Sequence, residues 1–206
     1  MMKLPGQTSA NRWRDFLVSP EREGQPLDII HSPRLELIAL SPDFLCACLR
    51  DDLEAASRII DVSVPPDWLE TKWLMELRLA KIRANPALEP WLLRAIGLRE
   101  TRTMIGFIGF HTLPGAEYLN PYAPGSVEFG YTVFPAYRKQ GYASEAAQAL
   151  MDWAAREHGV RRFVVSISPT NEPSLRLARK FGFRKVGTVM DPEDGVEDIF
   201  LLDLNT

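Results

Sequence analysis

Tyr137-Arg138-Lys139-Gln140-Gly141-Tyr142-Ala143-Ser144-Glu145-Ala146 joins a β-rich run to a long helical one, and its reading decides the fold. Upstream, Val127–Phe134 is apolar and ends at Pro135, which has no N–H with which to continue a ladder. Downstream, Tyr142–His158 sets Ala143, Ala147, Leu150, Met151 and Ala154 on one stripe at helical spacing, and Gly159 stands where a left-handed C-terminal residue belongs. That stripe requires a sheet to pack on. The turn between strand and helix is suited to an anion, because the first N–H groups of a helix lack internal acceptors and sit at its positive end. Gly141 admits close approach of a ligand, Ala143 and Ser144 are small, and Arg138 and Lys139 add charge with no acid before Glu145. The segment is neither G-x-x-x-x-G-K-[ST] nor G-x-G-x-x-G, which lowers the rank of nucleoside triphosphates and dinucleotides. Taken alone, it reads equally well as a plain helix start with solvated charges.

Working outward, Arg34–Ile38 alternates like a half-buried strand, and Ser41-Pro42 supplies an N-cap with proline at the first helical position. Helical character runs over residues 42–84, pausing at Val64-Pro65-Pro66 and resuming from Asp67. Trp91–Arg99 and Thr103–Thr112 form a hairpin. Beyond the central helix, Arg162–Ser168 is a strand, Thr170 or Asn171 caps a short helix ending at Phe181-Gly182, and Phe183–Met190 with Val196–Leu204 closes a second hairpin. Strands and helices interleaved in this order predict a mixed sheet covered by helices. Residues 1–30, with Trp13 and Phe16 among Pro, Gly and charge, read as a leader or docking arm, leaving 31–206 as one domain.

The 206 residues are 46% hydrophobic and 25% charged, as in globular chains, which excludes a disordered or fibrous one. A formal charge of -3, from 24 basic and 27 acidic residues, gives no overall field for gripping nucleic acid, so any anion is held locally. No membrane span or signal-peptide run is visible, and a cytoplasmic protein is the expectation. His31, His111 and His158 are scattered, and Cys46 and Cys48 are spaced to face apart on a helix, so no metal site and no mutual disulfide is expected. Both cysteines read as buried, inert thiols.

The segment from Val127 through Ala146, followed by Asn171-Glu172-Pro173-Ser174 and Gly182-Phe183, resembles the GNAT acyltransferases, most closely the branch of ribosomal-protein N-terminal alanine acetyltransferases. Arg138, Gly141 and Ala143 match the R/Q-x-x-G-x-G/A turn, and the resemblance spans about residues 33–204. It implies an α/β (α+β) fold with a mixed, mostly antiparallel sheet, helices on both faces and a splayed central strand. The implied cosubstrate is acetyl-CoA. Its pyrophosphate would lie on Arg138, Lys139, Gln140, Gly141, Tyr142, Ala143 and Ser144, main-chain groups of Val133 and Phe134 would run along the pantetheine, and the Asn171 side chain would bond that arm. A homodimer is a further family-level expectation.

Acetyl transfer to an alkylammonium of pKa about 10 needs a base, and departure of the CoA thiolate is helped by a proton or hydrogen bond. Glu128 is the candidate base, because a mid-strand carboxylate is costly to bury without purpose; pairing with an arginine at a sheet margin is its structural alternative. Ser174 matches the thiolate partner of the resembling branch, or is a plain helix residue bonded to backbone. The commoner family tyrosine is missing from helix 174–181, which leaves Tyr131, Tyr137 or a water for that task. Arg176, Arg179, Lys180, Arg184 and Lys185 read mainly as solvated charges, some of them facing the adenosine phosphate. His111 ends a strand near the presumed cleft, where it could assist proton removal, but as a lone histidine it reads as structural; Trp68, Trp73 and Trp91 read as core. The acceptor, a small-molecule amine or peptide N-terminus, would be bounded by residues 61–84 and 113–125, whose acids Asp61, Asp67, Glu70, Glu76 and Glu117 suggest a cationic amine. The alternative reading is a non-catalytic acyl-CoA-binding or sensing module, and a third is a partner-binding protein that has kept the fold and lost the cosubstrate.

Overall fold

The computed structural model describes residues 27–191 and 195–205. The leader's Trp13 and Phe16 lie outside them. Among the described residues eight strands form one sheet: β1 (Ile29–His31), β2 (Leu35–Ala39), β3 (Arg94–Leu98), β4 (Thr103–Phe110), β5 (Val127–Val133), β6 (Arg162–Ile167), β7 (Arg184–Asp191) and β8 (Gly195–Asp203). Their spatial order is β1-β2-β3-β4-β5-β6-β8-β7, and β5 with β6 is the one parallel pair. The helices are α1 (Pro42–Leu49), α2 (Leu53–Ile60), α3 (Lys72–Ala84), α4 (Tyr142–His158) and α5 (Glu172–Phe181).

Two cores lie on opposite faces of the sheet, as the period of two along a strand dictates. Leu35, Leu37, Ile96, Ile108 and Phe110 pack with the α4 stripe of Ala146, Ala147, Leu150 and Ala154, and with Ala178 of α5. Ile38, Ala95, Met104 and Phe107 face the other way, onto Phe44, Leu45, Ile60, Met75 and Leu79 of α1, α2 and α3. The mixed sheet with helices on both faces is therefore as expected.

Three boundaries differ. β1 begins inside the segment read as leader: Ile29 pairs with Ile38, and Asp28 makes an ion pair of 3.0 Å with the fully buried Arg94, so the sheet takes in residues before 31. After Pro65, whose side chain caps nothing, residues Pro66–Thr71 wind as a 3-10 turn, and α3 starts at Lys72. Trp91 and Leu92 both donate N–H to Leu88 O, which holds them in a turn and delays β3 to Arg94. Of the tryptophans, Trp68 and Trp91 are buried as read, but Trp73 is 62% exposed on the open face of α3. Cys48 is buried, accepts from Trp68 Nε1 at 3.3 Å, and burial pushes its thiol up to about 11. Cys46 is only half-buried, with its Sγ 3.4 Å from an Arg83 nitrogen.

The sheet opens at its centre. β5 pairs with β6 only at Val127↔Phe163 and Glu128↔Val164, after which the two strands part. Along its other edge β5 stays paired with β4 from Phe129 to Val133. One edge of residues 129–133 is left facing a gap.

Candidate functional site

The gap leads at one end to the turn before α4. Gly141 sits at φ 85°, which glycine adopts without strain, and Lys139 at φ 62°. No side chain caps α4, and the first intrahelical bond is Glu145 N–H to Gly141 O at 3.1 Å, so the N–H groups of residues 142–144 have no helical acceptor. Glu145, the acid of this first turn, is drawn off. Its Oε1 accepts from Arg34 N–H at 2.7 Å and Ser32 Oγ at 2.8 Å, and its Oε2 accepts from Arg34 Nε at 2.7 Å. Arg34 also donates to Gln140 O at 3.1 Å and stands 4.5 Å from the Tyr142 ring centre. Lys180, from α5, donates to Ser144 Oγ at 2.8 Å. The turn thus gathers Lys139, Lys180 and bare N–H groups while its one carboxylate is neutralised from β2's side. Those features fit a pyrophosphate.

Along the gap the main chain alternates in direction. Phe134 departs from its expected role: its N–H goes to Ile105 O at 2.8 Å and its C=O accepts from Tyr137 N–H at 2.9 Å, so both groups are used within the protein. Val133 faces the gap, yet its carbonyl accepts from Arg138 Nε at 2.9 Å. Arg138 is thereby folded back onto the strand end and does not reach out over the turn.

A cavity of about 140 Å³ lies between β5, β6 and α5, lined by Gly130, Tyr131, Ser166, Asn171, Ser174 and Ala178 among others. Asn171 is the cap of α5, its Oδ1 accepting from Ser174 N–H at 3.3 Å, which leaves its amide N–H₂ for a ligand. Tyr131 OH lies 3.2 Å from Ser174 Oγ, so the two candidate thiolate partners form one pair of hydroxyls. Burial raises the Tyr131 phenol above its ordinary value, which keeps it a donor.

Gly130 and Tyr131 also line a larger cleft of about 900 Å³ on the α3 side. At its base lies Glu128, only 5% exposed. Val127 and Phe129 point into the α4 core, so the period of two turns Glu128 to the opposite face. It is no sheet-margin partner of an arginine. Its Oε1 accepts from Ser166 Oγ at 2.5 Å, and its Oε2 accepts from Tyr118 OH at 2.7 Å and lies 3.3 Å from His111 Nδ1. Burial alone would raise this carboxyl, but the hydrogen bond and charge of His111, then Ser166 and Tyr118, outweigh it and pull it down to about 2. Tyr118 moves up, through burial and the Glu128 charge, and stays protonated.

His111, read from the sequence as structural, becomes a functional candidate here. The signal was the hairpin itself: β4 and β5 are antiparallel with Phe110 opposite Phe129, which sets the next pair, His111 and Glu128, side by side. His111 N–H donates to Glu128 O at 2.9 Å, and the absence of a Cβ on Gly130 leaves room for the ring, since one built there would stand 3.1 Å from Nε2. With Nδ1–H directed at the carboxylate, Nε2 is the nitrogen open to a proton. Trp73, Leu74, Leu77, Arg78 and Lys81 of α3 line the same cleft. Of the acids expected there, Asp61 is instead paired with Arg102 at 2.7 Å.

A family model for the acetyltransferase (GNAT) domain matches residues 34–184. The chain belongs to the GNAT acetyltransferase family. An uncharacterized N-acetyltransferase of Bacillus subtilis, YnaD, is 34% identical over 90 residues, which cover 44% of this chain and 48% of that protein; the chain matches about half the length of such curated relatives. Among solved structures, a putative GNAT-family acetyltransferase from Bordetella pertussis is 25% identical, covering 85% of this chain and 99% of its own, with a TM-score of 0.60. A ribosomal L7/L12 α-N-protein acetyltransferase in complex with coenzyme A has the same TM-score at 22% identity, covering 86% of this chain and 99% of its own, and so shares the fold. Among the described residues no helix is long and apolar enough to cross a membrane, and no group of three or more His, Cys, Asp or Glu could hold a metal ion.

Proposed function

We propose that this protein transfers an acetyl or other short acyl group from CoA to a primary amine by direct attack within a ternary complex. The observation that carries the reading is the pair of buried Glu128 and half-exposed His111, set beside a gap in the sheet whose other end is an uncapped helix N-terminus. When bound, acyl-CoA supplies the acyl group as a thioester and takes away the leaving thiolate. The N–H groups of residues 142–144 with Lys139 and Lys180 hold the pyrophosphate, while Arg138 braces the strand end through Val133 O. The open edge of Tyr131 and Val133, with the Asn171 amide, lines the pantetheine arm.

The proton of the acceptor ammonium passes to His111 Nε2. Glu128 keeps its negative charge, fixes the Nδ1–H tautomer and stabilises the imidazolium that forms. This divides the task first given to Glu128 alone: a carboxylate held near 2 is a weak proton acceptor, but it is a strong partner for a histidine. The Tyr131–Ser174 hydroxyl pair donates toward the departing sulfur. Cys46 and Cys48 lie in the α1 core region and have no part in transfer. Calorimetric titration with acetyl-CoA and CoA, followed by an amine and peptide panel with free thiol as the readout, tests the reading. Micromolar binding with amine-dependent thiol release is expected. Binding without release from any amine favours the acyl-CoA-sensing alternative, and no binding removes both.

A further inference from the structure

Among the described residues two arginines are buried, and they differ in how fully their donors are met. Arg94, fully buried, has its guanidinium in an ion pair with Asp28 and in hydrogen bonds to the carbonyls of Asp28, Leu37 and Pro90. Arg78, 7% exposed on α3, has one contact by comparison: an Nη donates to His111 O at 3.1 Å. Its buried Nε has no hydrogen-bond partner. Lys81, one helical turn on, directs its Nζ at the same His111 carbonyl at 3.3 Å. A buried guanidinium with an unmet N–H is costly, and a chain that satisfies Arg94 so fully leaves this one on the lining of the acceptor cleft.

Glu128 acts on Arg78 through its charge, while its two oxygens are engaged by Ser166, Tyr118 and His111. Asp191 is the other acid on the cleft lining. Beside the two cations the walls are apolar, with Trp73, Leu74, Leu77, Leu92, Leu93 and Phe107. The cleft therefore disfavours a polyamine, whose second ammonium would meet Arg78 and Lys81. It suits a molecule with an anion, an amine and an apolar side chain.

Resting on the transferase reading above, we propose that the acceptor is an apolar α-amino acid, its carboxylate taken by the Arg78 guanidinium with support from Lys81 and its amine presented to His111 Nε2. The spacing follows from His111 itself: its carbonyl is held by the two cations while its ring receives the proton, so anion and amine lie within the breadth of one residue. The planar guanidinium matches a carboxylate in shape, and its Nη groups, one of them already at His111 O, are the donors that the carboxylate would use. The cation that the sequence-level acids seemed to call for is thus replaced by a zwitterion.

The test compares leucine and phenylalanine with their carboxamides and with leucyl-glycine, by thiol release with acetyl-CoA, and separately measures binding of N-acetylleucine and N-acetylleucinamide to the CoA-loaded protein. The carboxamides carry the less basic amine and have more of it deprotonated, so chemistry alone favours them. A tenfold or greater preference for the free acids in kcat/KM, reduced toward unity in Arg78→Gln and partly kept in Arg78→Lys, is expected; Lys81→Gln, at a half-exposed site, should reduce it several-fold with the fold intact. Equal or better turnover of the carboxamides or the dipeptide by the native protein overturns the proposal and leaves the transferase standing. If no amine releases thiol, the binding arm decides: N-acetylleucine bound over its amide, with that preference lost in a folded Arg78→Gln, supports the carboxylate site, and indifference to the carboxylate refutes it. Failure of acetyl-CoA to bind would refute the transferase, and the same two N-acetyl compounds would still read the Arg78 site in the free protein.

Discussion

Replacing Glu128 with glutamine separates what its charge does from what its shape does. The folded carboxyl sits at about 2 against an ordinary 4.5, so the folded state binds fewer protons than the unfolded state wherever the pH lies between or near these values. Stability from this group is therefore fully present above about pH 5 and is lost as the pH falls toward 2. The difference corresponds to about 3 kcal/mol at neutral pH, from ~1.4 kcal/mol per unit. Glu128→Gln removes that increment and keeps the volume. Its amide can accept from only one side, so an N–H₂ must face Ser166 Oγ, Tyr118 OH or His111 Nδ1; where it faces Nδ1, the imidazole proton moves to Nε2 and the base is blocked. Urea unfolding at pH 7 should show the variant less stable by about 1–3 kcal/mol, since the amide recovers part of the hydrogen bonding. The gap should narrow steadily between pH 5 and pH 3, as the native carboxyl begins to lose its advantage. Turnover at saturating amine should drop by about 10²–10⁴ across pH 6–9, with the affinity for CoA little changed. A stability gap independent of pH, or turnover equal to the native protein across pH, would refute both the ionised buried carboxylate and its part in proton transfer.

Other perturbations probe the rest of the site. His111→Gln should lower kcat by about 10²-fold or more, while calorimetry shows acetyl-CoA binding retained. Gly130→Ala places a methyl 3.1 Å from His111 Nε2 and must displace the ring by a few tenths of an ångström; turnover should fall with a melting temperature close to native, and an unchanged rate would show that the ring position is not critical. Arg34→Gln takes the ion pair from Glu145, leaving its carboxylate beside the phosphate turn, and should weaken CoA several-fold, an effect that Glu145→Gln in the same chain restores. Ser174→Ala and Tyr131→Phe, each alone, should lower turnover modestly, and the double variant by less than the product of the two if the hydroxyls act as a pair.

Features written in neighbouring residues were legible in the sequence. The strand ending at Pro135, the uncapped turn at Gly141 and the α4 stripe each depend on local spacing, and the structure places them as read. The Asn171 cap was legible for the same reason. Features made by pairing were not. β1 is three residues long and exists because Ile29 and Ile30 lie against Ile38 and Leu37, which no local pattern announces. Phe134 looked as open as Val133, because a sequence does not say which neighbour each main-chain group faces; the register with β4 assigns the Phe134 N–H to Ile105. Acids counted along residues 61–84 and 113–125 pointed to a cationic acceptor, but Asp61 is held by Arg102, and the helix face of α3 that meets the cleft carries Arg78 and Lys81.

The same register also explains why a carboxylate suited to binding a proton donor is useful in a reaction that needs a proton acceptor. A base near 2 facing an ammonium near 10 would be mismatched by about eight units, too far for proton transfer to be effective. Three donors on two oxygens create that mismatch, so the hydrogen bonds that make Glu128 tolerable in a buried strand also disqualify it from acting alone. The β4–β5 pairing resolves the conflict by setting an imidazole next to it, with one nitrogen at the carboxylate and the other toward the cleft. Buried charge is then retained at Glu128 throughout, and the proton moves on the group whose ordinary pKa lies nearest to neutrality. Arg78 is held between the same opposing effects: burial pulls its guanidinium below the ordinary value, and Tyr118 and the charge of Glu128 work against that shift.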